Sequence, residues 1–264
     1  MTSAALVNEL RQALPLSQFE LLYQIQVDGR GVTGAETLLR WRHPERGMIS
    51  PMEFIPLAEE TSLIVPIGAW VLQMACEQLR TWQADPHTRH LHLAVNVSAR
   101  QFRQPDFVGQ VLDTLKKTGL DPLDLGLELE LTESLVLRDI DDSIKKMQLL
   151  RAAGIHFSLD DFGTGQSSLY YLKRLPLDQI KIDQSFVRDI ATDPNDAAIV
   201  RTIIGMADNL GLKVIAEGVE TEQQRDFLER NGCHAHQGYL FARPVPIEEF
   251  QNSLSRPCVG DCGP

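Results

Sequence analysis

The chain has 264 residues, a formal net charge of −11 and 43% hydrophobic residues. This length fits one large α/β domain or two small ones. The N-terminus lacks the pattern of a signal peptide, and no apolar run is long enough to span a bilayer, so we expect no membrane insertion by this chain. The acidic balance argues against electrostatic binding of duplex nucleic acid.

The spacing of the four cysteines indicates whether the protein belongs to an oxidising or a reducing compartment. No disulfide framework is evident among Cys76, Cys233, Cys258 and Cys262. Reduced thiols in a cytoplasmic protein are therefore expected.

Strand-like and helix-like segments alternate along the chain. The strand-like runs are FELLYQIQV, ETLLRW, LHLAVNVS, LGLELELT, IHFSLD, QIKID and KVIAE. The segment SPMEF predicts a helix start, with Ser50 as cap, Pro51 in the first turn and Glu53 completing a capping box. Two later amphipathic faces are predicted from Ile140, Ile144, Met147 and Leu149–Leu150, stopped by Gly154, and from Ile199, Ile203, Met206 and Leu210, stopped by Gly211.

Roughly eight strands alternating with helices over about 250 residues predict an α/β fold of the (β/α)₈ barrel type. A doubly wound open sheet is the alternative. Polar residues lie in or just after the strand-like runs at Glu36, Asn96, Glu130, Asp160, Asp161, Lys181, Glu217 and Gln237. In a barrel they would converge on one mouth, whereas an open sheet would spread them along an edge, so the pattern favours the barrel.

The donor atoms of this polar set are chemically uniform. Its carboxylates and one amide offer only oxygen ligands, which suit Mg²⁺ or Mn²⁺ rather than zinc. Divalent cations would also relieve the repulsion between the adjacent Asp160 and Asp161. Two metals about 3.5–4 Å apart would clamp an in-line phosphoryl displacement, and a charged Lys181 could orient the attacking water.

Ordinary structural roles remain open for each residue taken alone. Glu36 could lie on the surface, Asp160–Asp161 could cap a helix, and Lys181 could point outward. The GTG turn lacks the third glycine of a dinucleotide-binding loop. The CHAH segment at 233–236 has no second ligand pair with zinc spacing.

The sequence resembles the EAL-domain cyclic di-GMP phosphodiesterases from about Phe19 to Pro246. The segment GAETLLRW is similar to the family signature, with Glu36-Thr37-Leu38 in place of Glu-Ala-Leu. The further matching motifs follow in family order: NVSARQF from Asn96, ELTES from Glu130, DDFGTG from Asp160, IKID around Lys181, AEGVE around Glu217 and QGYLFARP from Gln237.

The resemblance implies a modified TIM (β/α)₈ barrel with an antiparallel first strand. We expect this barrel over residues 19–252, after an N-terminal linker or helix (1–18) and before a flexible tail (253–264). The family implies hydrolysis of cyclic di-GMP to linear pGpG with Mg²⁺ or Mn²⁺, two ions per site, and commonly a homodimer.

The resemblance also implies site roles by position. The metal ligands would be Glu36, Asn96, Glu130, Asp160 as bridge, Asp161 and Glu217. The catalytic group would comprise Lys181, which contacts the hydrolytic water, Glu217, which helps to activate it, and Gln237, which supports the arrangement. The substrate-binding residues would be Gln24, Leu39 and Arg40, with the Arg40 fork pairing with a phosphate. Glu133 would brace the loop after Asp161, which links the site to the dimer interface.

Two positions depart from the family pattern. Thr37 replaces alanine, and Ile25 replaces a proline beside Gln24, which could weaken affinity. The alternative function is a non-catalytic cyclic di-GMP receptor or interaction module on the same fold. Such receptors generally lose metal ligands or the DDFGTG loop. In this sequence the metal ligands and the DDFGTG loop are both present. No cyclase or sensory segment accompanies the domain, so we expect part of a longer regulator.

Overall fold

Strands and helices alternate in the computed structural model, which describes residues 3–120, 125–163 and 169–254. The strands are β1 (Phe19–Asp28), β2 (Gly31–His43), β3 (Gly47–Ile49), β4 (His92–Asn96), β5 (Leu127–Thr132), β6 (His156–Phe162), β7 (Gln179–Ile182), β8 (Lys213–Ala216) and β9 (Ala235–His236). The helices are α1 (Ser3–Ala13), α2 (Pro51–Glu60), α3 (Ile64–Gln83), α4 (Ala99–Phe102), α5 (Phe107–Thr118), α6 (Glu133–Leu137), α7 (Ile140–Arg151), α8 (Leu169–Leu172), α9 (Gln184–Arg188), α10 (Pro194–Leu210), α11 (Glu222–Arg230) and α12 (Ile247–Leu254).

The sheet closes on itself. Its order is β1-β9-β8-β7-β6-β5-β4-β2, β1 also pairs with β2, and β3 forms a hairpin arm on β2. The first strand runs antiparallel to both of its neighbours, while β2 and β4 to β9 run parallel. The predicted barrel and its antiparallel first strand are therefore confirmed, and the open sheet was the wrong alternative.

Strand β5 shows why the barrel interior is polar. Its leucines at 127, 129 and 131 are fully buried in the hydrophobic core. Because side chains alternate across a strand, Glu128 and Glu130 lie on the opposite face. Glu128 Oε1 accepts a hydrogen bond from Gln179 Nε2 at 3.2 Å. The polar face of β5 thus contributes to a hydrogen-bonded interior.

Helix boundaries agree with the sequence signals more closely than the capping details do. Helix α2 begins at Pro51, but the Ser50 side chain makes no capping hydrogen bond, so the predicted capping box is wrong. Helix α10 ends at Leu210, and the following Gly211 has a left-handed φ of 70°. Leu149 is 60% exposed and does not join the packed face of α7, because its neighbour Leu150 is turned about 100° further round the helix.

The N-terminal helix is part of the packed domain. Helix α1 packs into the core through Leu6, Leu10 and Ala13. Most of the predicted tail, together with Cys258 and Cys262, lies outside the described residues. No helix within the described ranges is long and apolar enough to cross a membrane.

Candidate active site

Strand register brings the predicted acidic residues to one mouth of the barrel. Asn96, at the end of β4, aligns with Glu130 of β5. In the next pair of strands, Thr132 of β5 aligns with Asp160 of β6. The backbone N–H of Glu217 donates to Ile182 at the end of β7. These positions lie toward the carboxyl ends of the parallel strands, which is where barrel enzymes place their chemistry.

Lys181 lies at the centre of this acidic cluster. Its Nζ is 2.7 Å from Glu130 Oε1 and 2.7 Å from Glu217 Oε1. Asp160 Oδ1 lies 3.4 Å away and Glu36 Oε2 lies 3.7 Å away. The lysine side chain is only 1% exposed. This position agrees with the prediction that Lys181 points into the site, and it excludes an outward-facing Lys181.

The four acids exceed the charge of the single ammonium. Burial, together with the neighbouring acids, raises the pKa of Glu130 well above its usual value, and burial raises the pKa of Glu217 to about 8. The pKa of Lys181 is also raised, because the surrounding carboxylates outweigh its desolvation. The cluster therefore holds a charged lysine and retains an excess of negative charge that favours protons or a further cation.

Glu36 is oriented by two amides. Asn96 Nδ2 donates to Glu36 Oε1 at 2.6 Å, and Gln237 Nε2 donates to Glu36 Oε2 at 2.5 Å. Burial opposes ionisation of Glu36, but Lys181 and these hydrogen bonds outweigh it and lower its pKa. Glu36 is thus stabilised as a carboxylate, unlike Glu130 and Glu217, whose pKa values are raised.

A bulge explains how two adjacent aspartates can serve one site. The register of β6 against β7 shifts between Leu159 and Phe162. Within this bulge Asp161 has a φ of 55°, a left-handed conformation that aspartate tolerates better than most residues. Burial and the charge of Asp160 raise the pKa of Asp161. The bulge breaks the strict alternation of the strand, as bulges beside active sites commonly do.

The site matches a hard divalent cation in its donor chemistry. Each candidate ligand side chain offers a carboxylate or amide oxygen. Glu130 Oε2 is buried and has no hydrogen-bond partner among the described residues. Within residues 3–120, 125–163 and 169–254, however, no group of three or more His, Cys, Asp or Glu side chains is arranged to hold a metal. Lys181 Nζ lies among those carboxylates instead. The donors and the excess charge fit a metal, while the coordination geometry is not preformed.

The predicted substrate-binding residues line two cavities beside the cluster. Gln24 lines a cleft of about 250 Å³ together with Glu36, Asp160, Glu217 and Gln237. Leu39 and Arg40 line a second, more apolar cavity of about 360 Å³, which Asn96 also borders. Arg40 is partly buried, and its Nη1 donates to the Leu39 carbonyl at 2.9 Å.

The two departures from the family pattern occupy undisturbed positions. The Thr37 hydroxyl donates to the Ala94 carbonyl at 2.9 Å, which ties β2 to β4. Ile25 keeps regular antiparallel pairing with Ala35 and packs against the core. Neither side chain disrupts the strands that carry the site.

Glu133 lies behind the acidic mouth. It is the first residue of α6 and is 7% exposed. A small cavity is lined by Glu133, Val136, Leu137, Leu159, Phe162, Leu172 and Leu175. The loop that Glu133 was expected to brace falls largely in 164–168, outside the described residues. Its bracing role stays a prediction.

Several cleft residues escaped sequence reasoning. Gln184, Gly218, Glu220, Gly238 and Tyr239 line the cleft that contains Gln24. Arg243 stacks over the Tyr239 ring at 4.2 Å. The detectable signal was position in sequence, because Gln184 directly follows the IKID motif and the other four residues lie within AEGVE and QGYLFARP.

Comparison with known proteins agrees with this architecture. A sequence model of the EAL domain matches residues 7–244. A bifunctional diguanylate cyclase/cyclic di-GMP phosphodiesterase, MucR of Pseudomonas aeruginosa, is 47% identical over 95% of this chain and 36% of its own length. The cyclic di-GMP phosphodiesterase NbdA from the same species is 47% identical over 94% of this chain and 31% of its own length.

A solved structure shares the same backbone. The PaMucR phosphodiesterase in its c-di-GMP complex superposes with a TM-score of 0.89 at 48% identity, covering 93% of this chain and 99% of the other. Fold and acidic mouth together define a modified TIM barrel of the kind found in these relatives. The chain belongs to the EAL domain family. It spans about a third of the length of MucR and NbdA.

Proposed function

We propose that this chain is a metal-dependent phosphodiesterase that hydrolyses cyclic di-GMP to linear pGpG. The observation that carries the proposal is the buried acidic cluster around Lys181, whose Nζ lies 2.7 Å from both Glu130 and Glu217. Similarity to named cyclic di-GMP phosphodiesterases supports the substrate. The c-di-GMP complex of the related PaMucR domain supports the ligand class.

Two divalent ions, Mg²⁺ or Mn²⁺, would be held by the oxygen donors of the mouth. The proposed ligands are Glu36, Asn96, Glu130, Asp160, Asp161 and Glu217. Burial and the neighbouring acids raise the pKa of both Glu130 and Glu217, and the excess negative charge of the cluster supports this role. When bound, such ions polarise a phosphoryl oxygen and acidify a bound water.

The reaction consumes one water. The water oxygen bonds to a phosphorus, the bond from that phosphorus to a ribose 3′ oxygen breaks, and the 3′ oxygen gains a proton. Lys181 stays an ammonium because its pKa is raised, so it orients the water as a donor rather than accepting a proton. Glu217, whose Oε1 lies 2.7 Å from Lys181 Nζ, would take a proton from the water at its carboxylate.

Gln24, Leu39 and Arg40 would position the substrate. Gln24 lines the cleft that contains Glu36, and Arg40 lines the adjoining cavity. A guanidinium there can meet a ligand phosphate with two parallel hydrogen bonds. Gln237 would support the arrangement through its bond to Glu36.

We also infer a homodimer in the cytoplasm. The cytoplasmic location is supported by Cys76 and Cys233, which are free and buried. Burial raises the pKa of each thiol to about 12, so both resist forming thiolates. Sedimentation at several protein concentrations tests the dimer.

Product analysis tests the catalytic proposal. The purified chain is incubated with cyclic di-GMP and Mg²⁺ or Mn²⁺, and the products are separated by chromatography, with a chelated sample in parallel. We expect pGpG only when a divalent ion is added. Robust turnover after exhaustive chelation contradicts metal dependence. Tight binding of cyclic di-GMP without turnover under any ion supports the non-catalytic receptor instead.

A further inference from the structure

A row of hydrogen-bonded side chains crosses the barrel interior and ends on Glu36. His92 Nε2 lies 2.8 Å from Gln26 Oε1, Gln26 Nε2 donates to Gln237 Oε1 at 2.9 Å, and Gln237 Nε2 donates to Glu36 Oε2 at 2.5 Å. These four residues are termed the interior row. Gln26 is completely buried, and Gln237 is 3% exposed. The row connects the amino-terminal end of β4 with the acidic mouth.

The hydrogen bonds of the interior row have a direction. Amide and carboxylate oxygens only accept, so His92 Nε2 carries a hydrogen and each bond donates toward Glu36. Turning the Gln237 amide by 180° would place its oxygen against the Glu36 carboxylate and its nitrogen against Gln26 Nε2. Both contacts would be unfavourable. Gln237 Nε2 also donates to Gln24 Oε1 at 3.1 Å, so Gln24 and the Glu36 carboxylate hold the nitrogen of this amide while Gln26 holds its oxygen. Gln26 is therefore the partner behind the mouth that keeps the Gln237 amide turned toward Glu36.

The backbone is shaped to admit the row. Gly34 of β2 aligns with His92 of β4, and a Cβ on Gly34 would clash with the His92 backbone carbonyl oxygen and lie 2.8 Å from two ring carbons of His92. The pairing of β1 with β2 shifts register immediately after Gln26. A side chain at position 34 would displace both the β4 backbone and the imidazole, so a glycine there keeps His92 within reach of Gln26.

The composition of the row argues against simple packing. The interior of a TIM barrel is usually filled with branched apolar side chains. A buried amide costs free energy unless its hydrogen bonds are made, and an apolar residue of similar size avoids that cost. Here the bond of Gln26 leads through Gln237 to Glu36, an acid of the candidate site.

We propose that His92 and Gln26 are positioning residues, which hold the Gln237 amide so that it fixes the Glu36 carboxylate for metal binding and turnover. This inference rests on the proposed function for its kinetic consequences and on Glu36 as a ligand for its metal-binding consequences. Partners that orient metal ligands from behind typically contribute about 10–100-fold to metal affinity or activity.

The first test compares two buried glutamines. Gln26→Leu removes the donor to Gln237, whereas Gln179→Leu removes a buried amide that donates to Glu128, away from the interior row. Mn²⁺ alone is titrated into each protein and followed by electron paramagnetic resonance, and kcat and KM are measured separately. We expect Gln26→Leu to weaken Mn²⁺ binding and lower kcat by about 10–100-fold, with KM less affected. Gln179→Leu should leave Mn²⁺ binding and kcat unchanged.

The second test asks whether a donor at position 92 is sufficient. His92→Phe keeps a flat ring against Gly34 but has no donor, whereas His92→Gln can offer an amide nitrogen near the position of Nε2. We expect His92→Phe to lose Mn²⁺ affinity and His92→Gln to recover most of it. Equal losses in both variants, or equal effects of the two glutamine substitutions, would mean that the row serves folding alone.

The outcomes separate this proposal from the proposed function. If the wild-type protein binds Mn²⁺ but does not cleave cyclic di-GMP, the phosphodiesterase fails, while the comparison of Mn²⁺ affinities still decides the role of the row. If the folded wild-type protein binds no Mn²⁺, positioning of Glu36 for a metal is overturned.

Discussion

Lys181 and Glu130 form a buried ion pair, with Nζ and Oε1 2.7 Å apart and with side-chain exposures of 1% and 0%. Breaking such a pair leaves an uncompensated charge away from water, which is strongly destabilising. The pair therefore couples the stability of the barrel to the composition of the acidic mouth. Any cation that enters this mouth also interacts with the charge of Lys181.

Replacing Lys181 should make stability depend on metal. In Lys181→Met the remaining acids lose their counter-ion, so we expect a loss of roughly 3–5 kcal/mol in metal-free solution. Mn²⁺ should restore part of that loss, because it can neutralise the same carboxylates. Thermal unfolding with and without Mn²⁺ measures this effect. The matched control is Lys173→Met at an exposed lysine, and an equal response of both variants to Mn²⁺ contradicts the prediction.

Glu36→Ala should abolish turnover without unfolding the chain. The substitution deletes a proposed ligand, so turnover should fall by at least about 10²-fold, the scale for removing one transition-state contact. Repulsion with Glu130 is relieved, which partly offsets the lost hydrogen bonds from Asn96 and Gln237. Circular dichroism and steady-state kinetics measure the two effects. Glu45→Ala, at an exposed acid just beyond β2, is the control. A folded Glu36→Ala protein with near-native turnover excludes Glu36 as a ligand.

The sequence predicted the barrel and the location of its polar residues because both depend on local pattern. Apolar runs that end in an acid or amide appear at Asn96 and Asp160, and parallel strands bring such ends together. The orientation of β1 came from the family resemblance, since antiparallel and parallel strands share the same alternation.

The interior row was missed for a physical reason. Gln24 and Gln26 alternate with apolar residues in β1, a pattern typical of a strand with one face in water. Barrel closure turns that polar face inward, where Gln26 becomes fully buried. Only the closed topology reveals this change, and no property of the strand taken alone distinguishes the two cases.

Capping was predicted at one helix and observed at another. Ser50 lacks a side-chain bond to the start of α2. Thr221 and Gln224 form a reciprocal capping box at α11, from a Thr-x-x-Gln signal that the sequence contains. Sequence spacing permits a cap, while the rotamer that completes it depends on the surrounding contacts.

The pair of His156 and Asp178 should give stability that declines as pH rises above 6.5. His156 Nδ1 lies 3.5 Å from Asp178 Oδ2, and the hydrogen bond to Asp178 raises the pKa of His156 above its ordinary value of 6.5. A raised folded-state pKa stabilises the protein fully below pH 6.5, and this contribution is lost as pH rises through the raised value.

Urea unfolding of wild type and His156→Asn across this range measures the contribution. The advantage of wild type should be largest at acidic pH, above the range in which Asp178 becomes protonated, and should disappear in alkaline solution. The control substitution is His90→Asn, at an exposed histidine. A wild-type advantage that grows with pH would have the wrong sign for this pair.

Glu133→Ala should reduce turnover through the loop that follows Asp161. Glu133 is buried at the start of α6, beside Leu159 and Phe162 of β6. Loss of a charged hydrogen bond there should cost about 1.5–3 kcal/mol and loosen the adjoining segment. We expect kcat to fall together with hydrogen-exchange protection over 162–170. An activity loss with unchanged protection would indicate direct participation of Glu133 in the site.

Calcium should bind without supporting hydrolysis and should compete with Mg²⁺. The mouth offers oxygen donors from Glu36, Asn96, Glu130 and Asp160, which both ions accept. Ca²⁺ prefers bonds of about 2.3–2.6 Å against about 2.0–2.1 Å for Mg²⁺. Longer bonds should misplace the attacking water, and a displacement of about 1 Å can cost on the order of 10²-fold in rate.

The test titrates Ca²⁺ into a Mg²⁺-supported reaction while cyclic di-GMP binding is measured separately. We expect turnover to fall as Ca²⁺ rises and excess Mg²⁺ to restore it, with cyclic di-GMP binding retained. Ca²⁺-supported turnover comparable to that with Mg²⁺ would contradict a mechanism that depends on metal spacing. Loss of both binding and turnover would mean that the metals mainly anchor the substrate phosphates. Retained binding with lost turnover is the expected result, because Ca²⁺ can still neutralise the acids while it acidifies a bound water less than the smaller ion does.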